Sequence, residues 1–135
     1  MTRVLTAVAV AAVLLPRAAT AQTEETPRTS LDGVYTLEQA EEGQVVYQRV
    51  CAECHAKDEY TGDMMAGWEG APLYDLWDII TTTMPENNPG SLSRSEYAGI
   101  LAYILQLNDM PPGAEELSTR TSALRNILFS WRDES

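Results

Sequence analysis

Residues that commonly build reactive sites are scarce in this chain, which holds two cysteines and one histidine among 135 residues. All three fall in one pentapeptide, Cys51-Ala52-Glu53-Cys54-His55. A closed zinc site is excluded, because its fourth ligand is missing. A thioredoxin-like dithiol needs a βαβ setting, yet no stretch alternates apolar and polar residues as a strand would. Basic residues are few as well, nine against twenty acidic ones. That balance excludes a nucleic-acid-binding face and disfavours anionic membrane surfaces. Long hydrophobic runs are also missing. The uncharged run over 4–15 is shorter than the ~20 residues that span a bilayer, and Pro16-Arg17 ends it.

What is present starts with that pentapeptide. Cys-x-x-Cys-His is the attachment pattern of a c-type haem. One helical turn sets both sulfurs on the same side, where they can add across the two vinyl groups of the ring. His55 follows directly and falls under the iron as the proximal ligand. No second histidine exists, so bis-histidine ligation is impossible within the chain. The sulfur candidates for the other axial position are Met64, Met65, Met84 and Met110. Methionine is more often core filler. Met84 stands apart because it lies between two helices, and Pro85 behind it biases the backbone towards an extended form. Met64 and Met65 are too near His55 in sequence to wrap around the ring, and Met110 is the reserve.

The rest of the chain divides into four stretches. Residues 1–21 read as a secretory signal: Thr2-Arg3 is a basic start, 4–15 an apolar run, and Ala19-Thr20-Ala21 a cleavage pattern. The expectation is a periplasmic protein without stable membrane insertion after cleavage. Loss of Arg3 and Arg17 takes the formal charge from −11 to −13. Residues 22–34 read as a flexible lead-in, 35–113 as the haem domain and 114–135 as a partly helical extension. Thr36 and Gln39 match a capping box, with Gln39 reaching back, and predict a helix from 37 to about 50. Gly43 on that helix predicts a close crossing, with Gly99 as its counterpart. Residues 56–67 read as a loop, and Pro72 opens a second helix over 73–82. Ser93 and Glu96 form another capping box, followed by Tyr97, Ile100, Leu101, Ile104 and Leu105 at helical spacing up to Asn108. A weaker amphipathic segment (Leu117, Leu124, Ile127, Leu128, Trp131) ends the chain. The fold class is all-α.

Up to about residue 113 these features resemble the class I monohaem c-type cytochromes, in which about four helices wrap one covalently bound haem c. More narrowly, Thr83-Met84-Pro85, Pro89-Gly90-Ser91-Leu92-Ser93, Glu96-Tyr97-Ala98 and Leu101-Ala102-Tyr103-Ile104-Leu105 resemble the small cytochromes and cytochrome domains that serve quinoprotein dehydrogenases. The resemblance implies Met84 as the distal ligand and a terminal helix that crosses the first at Gly43 and Tyr47. There are two departures. Ala56 stands where Gly is usual. The loop from His55 to Trp68 also has no proline to offer a carbonyl to the proximal imidazole, so another carbonyl is expected to accept from His55.

The function this implies is one-electron transfer by an exported carrier without substrate chemistry of its own. A quinoprotein dehydrogenase would be the donor, and a terminal oxidase or another cytochrome the acceptor. Its acidity predicts a basic docking partner. Two alternatives stand beside it. One is a haem subunit of a larger dehydrogenase, docked through the segment after Gly113. The other is a haem enzyme or gas sensor with an open iron, for which no second histidine is available as a distal proton donor.

Overall fold

Helix-start signals organise the chain, and the computed structural model, which describes residues 27–131, realises them with one exception. The signal over 1–21 and the first part of the lead-in lie outside the described residues. Thr36 is extended at the N-cap of α1 (Leu37–Val50), and its hydroxyl accepts from the Gln39 amide at 3.1 Å. Gln39 does not reach back. Its side chain is buried, accepting from the Leu117 amide (2.7 Å) and donating to the Leu117 carbonyl (3.1 Å). A long-range amide clamp has replaced the second half of the capping box, since it satisfies a buried polar pair.

The stretch read as a loop over 56–67 contains a 3₁₀ turn (Lys57–Tyr60) and a one-turn helix α2 (Asp63–Ala66). Helix α3 (Leu73–Thr83) follows Pro72 and buries Leu73, Leu76, Trp77 and Ile80. Met84 ends it with φ −119° and ψ 150°, the extended backbone that a following proline favours. Helix α4 (Arg94–Leu107) opens with a complete capping box: Ser93 accepts from the Glu96 amide, and Glu96 accepts from the Ser93 amide. Nine consecutive residues from Tyr97 to Leu105 are buried, so α4 is the central element rather than a surface one.

Helices α1 and α4 form the main crossing. Gly43 and Gly99 make it possible. A Cβ on Gly43 would collide with the Gly99 carbonyl, and one on Gly99 would come within 3.1 Å of Gly43 Cα. The sequence expectation for this pair holds.

The two ends of the described chain are tied together. Arg28–Thr29 (β1) pairs in parallel with Ile127–Leu128 (β2), after a short helix α5 (Thr121–Arg125). The Ser30 hydroxyl is fully buried, donating to the Ser130 carbonyl and accepting from the Ser130 amide, both at 2.9 Å. The described part of the 22–34 lead-in, read from sequence as flexible, is therefore anchored. Leu117, Leu124, Ile127 and Phe129 belong to the same hydrophobic core as α3 and α4. Each strand has only two residues, too few for an alternating pattern to be visible. Among the described residues the fold is all-α apart from this two-residue ladder and an isolated antiparallel bridge between Pro72 and Leu128, in line with the fold class expected from sequence.

Candidate functional site

A cavity of about 360 Å³ lies between the end of α1 and the segment after α3. Cys51, Cys54 and His55 line one side, because α1 delivers them in the turn that immediately follows it. Met84 and Pro85 line another, at the extended exit of α3. Ile80, Leu92, Ile100 and Ile104 supply apolar walls. Of the four methionines weighed as sulfur ligands, only Met84 borders this space. Met65 and Met110 are core residues at 2% exposure, and Met64 is 65% exposed. Trp68 and Trp77 do not line the cavity. Trp77 packs between Tyr97 and the Arg94 guanidinium, and Trp68 packs on Phe129.

Neither cysteine is in a disulfide; Cys51 is half-buried and Cys54 exposed. The His55 Nδ1 lies 3.1 Å from Glu59 Oε2. An ionised carboxylate only accepts, so Nδ1 carries the proton and donates, leaving Nε2 as the nitrogen for a metal. The Tyr47 hydroxyl donates to the His55 carbonyl at 2.7 Å, and the Tyr60 ring meets the imidazole edge-on at 5.8 Å. Across the cavity, the Tyr97 hydroxyl donates to the Met84 carbonyl at 2.7 Å. The Gly90 amide donates to the same oxygen at 3.2 Å.

The donor set suits a flat, largely apolar ring with reactive edges: two thiols side by side, one imidazole and one thioether on a hydrophobic slot. The family model described as "Cytochrome C oxidase, cbb3-type, subunit III" matches residues 38–104, a span that contains all four of these side chains. The chain belongs to the monohaem c-type cytochromes. Its cofactor is one covalently bound haem c, and its role is electron transfer. No curated protein and no solved structure matches the chain.

The electrostatics of this cytochrome place no titration near neutrality among the groups that shift. Burial raises the Tyr47 hydroxyl to about 12, with smaller contributions from neighbouring Tyr60 and Cys51. Burial likewise pushes up Tyr60 and the Cys51 thiol. Both tyrosines therefore stay protonated across the physiological range, and the Tyr47 hydroxyl remains a donor to the His55 carbonyl. The hydrogen bond from His55, then that from the Ala56 amide, hold Glu59 below the usual carboxylate range.

The structure brings the pentapeptide and Met84, which sequence reasoning grouped, to the border of one cavity, and it adds Glu59, which that reasoning missed. Sequence reasoning expected a carbonyl to accept from His55, and a carboxylate stands there instead. A signal was available, since Glu59 follows His55 by four residues in a stretch without proline. Tyr47 was singled out only as a packing position, and its hydroxyl bond to the His55 carbonyl has no local sequence mark.

Proposed function

We propose that Cys51 and Cys54 hold the haem through thioethers, with His55 and Met84 as axial ligands, in an exported carrier of single electrons. The observation that carries this reading is the shared cavity. The two thiols, the imidazole and one methionine of four border the same apolar slot. When bound, the haem supplies an iron that gains or loses one electron with little rearrangement. The protein's part is to hold two axial donors at fixed positions and keep the ring in a dry pocket. Ile80, Leu92, Ile100 and Ile104 supply that dryness, which disfavours the more highly charged oxidised form.

Export is supported by the leader pattern over 1–21, and no helix among the described residues is long and apolar enough to cross a membrane. Mass spectrometry of the mature protein should find one haem that survives denaturation, with the chain starting after residue 21. Haem released into acidic organic solvent would refute the covalent assignment. The oxidised protein should also have the weak sulfur-to-iron band at the near-infrared edge. If Met110→Ala removes that band and Met84→Ala does not, the distal assignment is wrong.

The redox partners in this reading are proteins with basic faces. The chain carries twenty acidic against nine basic residues, and opposite charge extends the capture range of an encounter. A quinoprotein dehydrogenase is the proposed donor by resemblance. A terminal oxidase or another cytochrome is the proposed acceptor. The electron-transfer rate with the true partner should fall with added salt, as the Debye length shrinks from about 10 Å at 0.1 M. A rate that stays flat or climbs removes electrostatic steering.

A further inference from the structure

The loop after the haem motif holds a carboxylate where a backbone carbonyl was expected. Glu59 sits in the 3₁₀ turn Lys57–Tyr60, four residues beyond His55, and its two oxygens are used differently. Oε1 accepts from the Ala56 amide at 3.0 Å, and Oε2 faces His55 Nδ1 at 3.1 Å. The carboxylate thus bridges the imidazole ring and the backbone just beyond it. Its amide bond removes much of the freedom that makes exposed ion pairs weak, since the side chain does not have to be ordered anew to meet the ring. Two further contacts limit the same imidazole: the Tyr47 hydroxyl fixes the His55 carbonyl, and the Tyr60 ring lies edge-on to it. Tyr60 is itself tied down, because its carbonyl accepts from the Asn108 side chain at 2.8 Å.

We infer that Glu59 is a positioning residue that fixes the proximal imidazole and lowers the reduction potential of the cytochrome. The inference rests on the reading of His55 as the proximal ligand. A carboxylate accepting from Nδ1–H draws that proton away and makes the other ring nitrogen a stronger donor. A stronger donor stabilises the higher oxidation state of a bound iron, and the negative charge adds in the same direction. A backbone carbonyl orients the ring without supplying that charge. Glu59 therefore separates this chain from one in which a loop carbonyl fills the same place.

The test uses the full haem-loaded protein at pH 7, with Glu59→Ala, Glu59→Gln and, as control, Asp58→Asn. Asp58 is an exposed neighbour that carries the same charge, and only its backbone carbonyl enters a hydrogen bond. Glu59→Ala should shift the reduction equilibrium about tenfold towards the reduced form, a size set by analogy with the lower end of the effect that outer partners of ligating histidines have on metal affinity. That is ~59 mV for one electron. Glu59→Gln keeps an acceptor and loses the charge, so it should shift the same way by less. Asp58→Asn should move it least of the three. The His55 Nδ1 proton, followed by nuclear magnetic resonance, should exchange with solvent faster in Glu59→Ala and keep most of its protection in Glu59→Gln. A merely structural loop residue would alter unfolding and leave both readouts unchanged.

If Glu59→Ala moves the potential no more than Asp58→Asn, or leaves proton exchange unchanged, the inference is overturned and the functional reading survives. If the wild-type protein holds no covalent haem, or keeps its proximal ligation in His55→Ala, both fall together.

Discussion

The two ends of the slot hold His55 and Met84 in different ways. On the proximal side the His55 ring itself has a polar partner, Glu59 at 3.1 Å, and an aromatic neighbour, Tyr60. At the other end no hydrogen bond reaches the Met84 side chain among the described residues, and its backbone does the holding. The Met84 amide donates to the Ile80 carbonyl, and its carbonyl accepts from Tyr97 and Gly90. Each side has one buried tyrosine whose hydroxyl grips a backbone carbonyl, Tyr47 that of His55 and Tyr97 that of Met84. The imidazole has a second nitrogen that a partner can use to tune it, whereas a thioether has none. Proximal changes should therefore tune the electronics of the iron, and distal changes should decide whether the sulfur stays bound.

The strongest way to break that contrast is Met84→Ala. Axial ligands set haem potentials over a range of about 0.8 V, and losing the thioether should lower this one by about 0.2 V. Spectroelectrochemistry reads the shift, and circular dichroism should report an intact fold, because Met84 caps a helix through its backbone. An unchanged potential would mean that the sulfur never reaches the iron.

Gly43→Ala ranks next and affects both sides at once. The added Cβ meets the Gly99 carbonyl across the α1–α4 crossing, and backbone cannot step aside as a side chain can. A loss of about 3 kcal/mol in denaturant unfolding is expected, the upper part of the usual overpacking cost. Gly99→Ala should cost less, since its Cβ would meet Gly43 Cα at 3.1 Å and the Gln39 carbonyl at 3.3 Å. Equal costs would mean that the crossing is looser than it looks.

Those two glycines also mark how much the sequence could reveal. Gly43, Gly99, the cap at Ser93 and the Cys-x-x-Cys-His motif are local signals. Each follows from one helix turn or one covalent bond, and each is legible without a fold. Glu59 was half-legible, because its spacing from His55 is local but its role depends on how the loop turns. The Gln39 clamp on Leu117 was not legible at all. It joins residues 78 positions apart, and the capping-box pattern at Thr36 gave that glutamine a plausible local task instead. The β1–β2 clasp escaped for a related reason, since two-residue strands have no period to detect.

The tyrosine pair sharpens the contrast at smaller amplitude. Tyr47→Phe and Tyr97→Phe each remove one hydroxyl from a part-buried carbonyl, so each should cost about 1 kcal/mol in thermal unfolding. Their effects on ligation should part company. Tyr97→Phe frees the Met84 backbone and should weaken the sulfur-to-iron band on mild heating, well below the unfolding midpoint. Tyr47→Phe should leave that band intact, because Glu59 and Tyr60 still hold the imidazole. If the two variants lose the band at the same temperature, the two sides are not held differently.

The smallest effect concerns Glu96, which ties the two sides together. Its carboxylate accepts from the Ser93 amide and hydroxyl, both at 2.9 Å, and pairs with Arg49 of α1 at 2.7 Å. The Ser93 amide, then the Ser93 hydroxyl and Arg49, hold its carboxyl below the ordinary value of 4.5. A depressed folded-state value means that the stabilising contribution is complete above 4.5. It is then lost as pH falls through the folded value. The pair is largely solvent-exposed, so its worth at neutral pH is at most about 1 kcal/mol after screening. Glu96→Gln should therefore lower the neutral-pH midpoint slightly and make the decline of the midpoint below pH 4.5 shallower. Asp32→Asn offers the contrast at the terminal clasp. Asp32 is lowered mainly by the Thr29 amide, which donates to it at 2.6 Å, and it touches neither side of the slot. Both variants should flatten the acid limb, and only Glu96→Gln should speed loss of the sulfur-to-iron band in acid, because only Glu96 joins the helix before His55 to the helix after Met84. Equal acid sensitivity of that band in the two variants would uncouple the α1–α4 ion pair from the ligand geometry.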